Sequence, residues 1–237
     1  MTAHAAYDLH LLSAGAAQGL VTALAPRFLA ATGVAIRTTF SAVGAIREKL
    51  LAGERCDALI LTEVMIDELA ASGHVVPATR AALGRVRTGI GVRAGDALPN
   101  IANRAALQRT LRAATEIFLP DPQRATAGIH FMRVLNQLGI HADVAPRLRP
   151  YPNGATAMHA LAQSGGSMPI GCTQLSEIKY INGVTPVGPL SHEFELATVY
   201  SVGTSAHAQW PECARRFSQL VCGPEAGNVR AAAGFES

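Results

Sequence analysis

The sequence predicts an α/β fold built mainly on parallel sheets. Three observations carry this reading. Short apolar runs rich in Val, Ile and Leu alternate with helix-period segments almost throughout the 237 residues. Several of these runs are bounded by Gly or Pro, as strands are. No internal repeat or low-complexity linker interrupts the alternation.

In chain order, strands are predicted over residues 8–12, 35–40, 58–62, 89–93, 116–119, 142–148, 168–173, 184–187 and 195–202. In the first helical stretch, Leu20, Leu24 and Phe28 share a face with Val21 and Leu29. Pro26 lies inside that stretch and predicts a kink, or a break near Thr22. In the second, Ile46 and Leu50 stand four apart with Leu51 alongside, and a further helix is expected over 64–71. The order changes near Gly188. One long strand leads into two closing helices, 206–221 and 224–233. That ending suits a chain that returns to complete its first lobe.

Composition narrows the function. Hydrophobic residues make up 49% and charged residues 16%, which excludes a disordered chain. The net charge is +3 and no run of Lys or Arg exceeds two residues, so no nucleic-acid partner is expected. Lysines stand only at Lys49 and Lys179, so the cationic groups are guanidinium forks suited to carboxylates or phosphates. The longest early uncharged stretch, residues 9–26, contains Ser13, Gly15, Gln18, Gly19 and Thr22 and is too polar to enter a membrane. Residues 1–10 have no basic leader region, and Asp8 interrupts any apolar run; the expectation is a cytoplasmic protein or a chain trimmed of its leader. Cys56, Cys172, Cys213 and Cys222 form no CxxC pair and read as free thiols.

Three strand-to-helix junctions share a composition of small hydroxyl residue, Gly and Ala. They are Leu12-Ser13-Ala14-Gly15-Ala16-Ala17, Phe40-Ser41-Ala42-Val43-Gly44-Ala45, and Asp121-Pro122 through Thr126-Ala127-Gly128. The first amides of a helix lack intrahelical partners, and the helix dipole adds about half a positive charge there. Small residues let a ligand approach those N–H groups. One such junction is simply a cap. Three that converge at the carboxyl ends of strands make a cage for an anion.

Other patterns are weaker. Gly89-Ile90-Gly91 through Gly95 has the spacing GxGxxxG and precedes a loop, so it is not a dinucleotide fingerprint. Walker, HExxH and GxSxG motifs are absent, the histidines lack metal-ligand spacing, and neither metal nor cofactor is expected. Ser191-His192-Glu193 is contiguous and reads as a polar turn, since triad members meet in space rather than in sequence. His130 follows Gly128 and either lines a cleft or sits satisfied on the surface. Glu63, after the strand 58–62, is either a first-turn carboxylate that stabilises its helix or a general base aimed into a pocket.

These motifs resemble those of bacterial molybdate-type solute-binding proteins. Residues 12–17 are similar to the first binding segment of that family. Residues 40–47 with 51–60 are similar to its second segment and following strand, and residues 121–129 to the DP…AG segment of its second lobe. Gly188-Pro189-Leu190 and Gly234-Phe235-Glu236 match a branch of the group. The resemblance implies a two-lobed periplasmic-binding-protein fold of type II, each lobe a mostly parallel sheet flanked by helices, with the ligand cleft between them. It places the lobes at residues 1–86 plus 193–237 and at 87–192. It carries over as binding residues Ser13, Ala14, Ser41, Ala42, Thr126 and Ala127. A fourth segment falls at Thr173 and Gln174, where the family commonly has Tyr.

The implied function is capture of a small oxyanion or carboxylate, with an ABC permease as a possible partner and a periplasmic setting. A related branch resembles aconitate isomerase, a cofactor-free enzyme that moves an allylic proton. Arg93 and Arg124 would there clamp carboxylates, and Glu63 or His130 would be the base.

Overall fold

The computed structural model describes residues 7–236; most of the stretch read for a leader, and the outermost ends of the first lobe, lie outside the described residues. The chain runs β1 (Asp8–Ala14), a 3-10 turn (Gly15–Ala17), α1 (Gln18–Thr32), β2 (Ala35–Ser41), α2 (Val43–Leu51), β3 (Ala58–Thr62) and α3 (Glu63–Ala71). It continues with β4 (Ala81–Arg93), α4 (Arg104–Ala113), β5 (Glu116–Pro120), α5 (Thr126–Gln137), α6 (His141–Val144), β6 (Leu148–Tyr151) and α7 (Gly154–Gln163). It closes with β7 (Pro169–Gln174), α8 (Leu175–Tyr180), β8 (Val184–Pro189), β9 (Ala197–Thr204), α9 (Pro211–Cys222) and α10 (Gly227–Ala232).

The architecture is a two-lobed α/β fold in which both sheets share β4. The first sheet has the order β2-β1-β3-β9-β4, and the second continues from β4 as β4-β7-β5-β6 with β8 also on β4. The first half of β4 pairs with β9 and its second half, from Thr88, with β7 and β8. Parallel pairs β1–β2 and β1–β3 build the first lobe, and β5–β6 and β5–β7 the second. Pairs made by β9 with β3 and β4, and by β4 with β7 and β8, are antiparallel. Two apolar clusters form the core, and the first runs on into the second lobe through Met158, Leu161 and Ile178. Leu11, Leu59, Ile60, Phe28 and Phe217 belong to the first cluster, and Ile90, Leu107, Ile117, Phe131 and Phe194 to the second. Phe28 of α1 meets Phe217 of α9 edge to face at 5.8 Å, an arrangement that contributes about 0.5–1.5 kcal/mol beyond burial.

Several elements differ from the sequence reading. Residues 142–147 are not strand: α6 and a 3-10 turn (Ala145–Arg147) occupy them, and the strand starts at Leu148. A single buried residue, Val144, anchors that turn of helix, so the alternation of apolar residues there did not mark a sheet face. β4 begins eight residues before Gly89, and its first half carries Arg85 and Arg87 on partly exposed positions that mask the strand pattern. α1 continues unbroken through Pro26, whose missing N–H falls on the exposed side of the helix. The ninth helix begins at Pro211 rather than 206. The chain before it is held by the buried Asp57 carboxylate, which accepts from the Gln209 and Trp210 amides at 2.8 and 3.0 Å and from the His10 amide at 3.0 Å.

Among the described residues no helix is long and apolar enough to cross a membrane. All four cysteines are free.

Candidate functional site

The carboxyl ends of β1, β2, β5 and β7, and the loop after β6, meet at one cavity between the lobes. Its wall is made of Ala14–Ala16, Ser41–Val43, Pro120, Ala125–Ala127, Asn153, Gly154, Gln174, Glu177 and Tyr200. The cavity measures about 20 Å3, room for little more than one water molecule. A guest of several heavy atoms therefore enters only when the lobes part.

Four helix starts border this cavity: the turn that opens α1, and the first residues of α2, α5 and α7. The caps of the first three use no side chain, so Ser41 and Thr126 are not engaged in capping. At α2 the Gly44 amide already donates to the carbonyl of Arg124 across the cleft, at 3.1 Å. The fourth start, at α7, is closed by a capping box: Asn153 Oδ1 accepts from the Thr156 amide at 2.9 Å, and Thr156 Oγ1 accepts from the Asn153 amide at 3.3 Å. Sequence reasoning passed over this junction, although Asn153-Gly154-Ala155-Thr156 before an apolar run is a helix-start signature.

The structure brings together at this cavity six of the residues that the sequence singled out: Ala14, Ser41, Ala42, Thr126, Ala127 and Gln174. The others lie elsewhere. The Ser13 side chain is fully buried, and its hydroxyl donates to the Ala14 carbonyl at 3.0 Å. Thr173 is buried behind the wall. Arg93 sits at the far end of β4, where it holds the Ser164 carbonyl and, at 3.0 Å, Asp96. Glu63 is an exposed first-turn residue of α3 and does not line the cavity. Arg124 and His130 line a separate open groove of about 440 Å3 at the cleft mouth, together with Arg47 and Arg133. There Arg124 pairs with Glu48 at 3.3 Å, and His130 Nε2 lies 2.8 Å from the Phe194 carbonyl oxygen.

One wall residue was not anticipated. Glu177 on α8 is buried, and its carboxyl group lies between Gly15 and Gly154. A Cβ at either glycine would overlap it. Thr173 Oγ1 donates to Glu177 Oε2 at 2.5 Å. Burial raises the carboxyl above its ordinary range, and the Thr173 hydroxyl with the nearby Gly154, Gln174 and Ala155 amides partly opposes that. Beside it, Tyr200 is also buried, and its phenol is raised by desolvation and by Glu177. Gln174, 2% exposed, leaves its amide oxygen without a hydrogen-bond partner. Thr173 near the end of β7 and Glu177 in the first turn of α8 stand four apart, too common a spacing to have marked this site from sequence.

Residues 9–236 match the family model described as bacterial extracellular solute-binding protein. The chain belongs to that family. It is 30% identical over 230 residues to a Pseudomonas protein named aconitate isomerase, covering 93% of this chain and 84% of that protein. Among solved structures it is similar to the periplasmic molybdate-binding protein of Azotobacter vinelandii, with a TM-score of 0.78 at 18% identity over 97% of this chain and 99% of that one. The sulfate-binding protein SubI of Mycobacterium tuberculosis follows the same fold, with a TM-score of 0.73 at 19% identity over 97% and 86% of the two chains. As a member of this solute-binding family, the chain carries its two-lobed fold with a cleft between the lobes.

Proposed function

We propose that the protein captures a small anion, an oxyanion or a carboxylate, by closing its lobes on the cavity at the four helix starts. The observation that carries this reading is their convergence on one cavity between the lobes, since the helix dipoles there, and the amides at the three starts without a side-chain cap, favour negative charge. Ser41 and Thr126 contribute hydroxyls from opposite sides of the cleft, and Ala14, Ala42 and Ala127 keep the approach to the amides open. The lobes are residues 1–86 with 193–237, and 87–192, and they hinge where β4 passes from one sheet to the other. A permease of the ABC type is the partner that a solute-binding protein serves.

A thermal-shift panel of molybdate, tungstate, sulfate, citrate and the two aconitates tests the reading. A ligand at about a hundred times its Kd stabilises by about 2.7 kcal/mol, which moves Tm visibly. No shift with any of the six counts against it.

A second reading, an isomerase of the aconitate type, is favoured by the similarity to the Pseudomonas protein together with a buried carboxyl group in the cavity wall. An allylic proton shift needs a single base beside an acidic C–H bond, and Glu177 stands nearer the guest than either Glu63 or His130. Conversion of trans- to cis-aconitate, followed by ultraviolet absorbance, tests it; a flat trace with folded protein at high concentration removes it.

A further inference from the structure

A carboxyl group in the wall of an anion site poses an electrostatic problem. Two like charges that share a buried cavity repel strongly, so one of them must be neutralised. Glu177 faces the cavity between Gly15 and Gly154, two positions where only hydrogen leaves room for its oxygens. Among the described residues no cation offsets it; the donors at its oxygens are the Thr173 hydroxyl and the Gly154, Ala155 and Gln174 amides. The turn that opens α1 is Gly15-Ala16-Ala17, the start of α7 presents Asn153 and Gly154, and β7 presents Thr173 and Gln174. β4 and β8 pack against its helix through Gly89, Gly91 and Val184. Tyr200 of β9 is the titratable neighbour that bears on it, and it is held neutral. On its own helix, Lys179 is exposed and Tyr180 packs against Gly19 of α1. The orphaned amide oxygen of Gln174, on the same wall, is an acceptor awaiting a proton donor.

We propose that the cleft takes up its anion together with one proton, and that Glu177 is the group that carries it. This rests on the anion reading above. When the lobes close on the guest, a Glu177 that is still charged gains a proton from solvent, and one already neutral keeps its proton; no bond to the guest forms, and the charge count of the cavity stays at that of the guest alone. The wall then presents a hydroxyl donor where it would otherwise present a repelling charge. Burial already moves the group toward this state.

The experiment measures Kd by calorimetry from pH 6 to pH 9 for wild type, E177Q and T173V, with sulfate and trans-aconitate as probes. Both probes are fully ionised across that range, given carboxyl pKa values near 4. Wild-type affinity is expected to hold steady up to the titration of Glu177 and then to fall tenfold per pH unit. E177Q is expected to bind with no such bend. T173V, which lacks the hydroxyl that favours the charged form, is expected to bend at higher pH, and it serves also if E177Q does not fold. A bend retained in E177Q, or none in wild type across the range, overturns the proposal. If neither probe binds wild type, the anion reading fails on its own, because the proton is read separately as the infrared carbonyl band of a protonated carboxyl at pH 6. That band is expected in wild type and missing in E177Q; its absence from wild type overturns the proposal.

Discussion

The Gly44 amide donates to the Arg124 carbonyl oxygen at 3.1 Å, joining the start of α2 in one lobe to the loop before α5 in the other. A Cβ at Gly44 would stand 3.1 Å from that oxygen and 3.3 Å from the Arg124 Cα, closer than the backbone accepts without shifting. G44A therefore hinders closure, while alanine adds helix propensity of about 1 kcal/mol over glycine. The variant is expected to keep or raise its Tm without ligand and to bind its anion about 2–10-fold more weakly, the cost of one strained interlobe hydrogen bond. Calorimetry with thermal melts checks both halves.

Ser41 lines the cavity, whereas Ser13 spends its hydroxyl on the neighbouring carbonyl. S41A is expected to lose about 0.5–1.5 kcal/mol of anion affinity. S13A is expected to leave affinity within about twofold of wild type, because its loss removes only a local bond. Titration of the two single variants separates them.

Gly154 leaves its Cβ position to the Glu177 carboxyl and the Thr173 hydroxyl. G154A is expected to destabilise the fold by about 1–3 kcal/mol, the usual cost of overpacking. Urea unfolding measures it, and a variant as stable as wild type would place the carboxyl elsewhere.

The pH dependence of stability follows from the direction of the Glu177 shift. Its folded pKa is raised above the ordinary 4.5, so between those values the native state holds a proton that the unfolded chain has released. That contribution is complete below 4.5 and is lost as pH rises through the raised value. The Tm of E177Q relative to wild type is expected to climb over this window, and melts at several pH values check the slope.

The thiols are expected to be inert in the folded protein. Burial pushes Cys56 up to about 12 and Cys222 up to about 11. At pH 8 only about one Cys222 side chain in a thousand is thiolate. An alkylating reagent should label all four cysteines after denaturation and almost none before it.

Much of this site was legible in the sequence because it is built from backbone. Ser41-Ala42 ends a strand run and opens a helical one, Thr126-Ala127 opens the helix that follows β5 after a short loop, and small residues there leave little else for the chain to do. Glu177 was not legible. Its burial depends on α8 packing against the start of α7 and, across the cleft, against the turn at Gly15, which lies about 160 residues away in the chain. Arg93 and Arg124 came as carboxylate clamps from the resemblance to the aconitate isomerase branch; in the fold Arg93 pairs with Asp96 and Arg124 with Glu48, away from the cavity. The apolar alternation at 142–148 failed for a related reason: it describes a side of the chain but not which neighbour covers it.

The position of β9 carries a consequence for synthesis. It is the last strand to be made, yet it lies between β3 and β4. While the ribosome is still extending the chain, the edges of β3 and β4 that β9 will cover have no partner, and such edges invite association with other chains. The second sheet needs only β4 to β8 and can be completed earlier. The nascent protein thus passes through a stage with one finished half and one open half, and a helper that shields bare strand edges would act on it there.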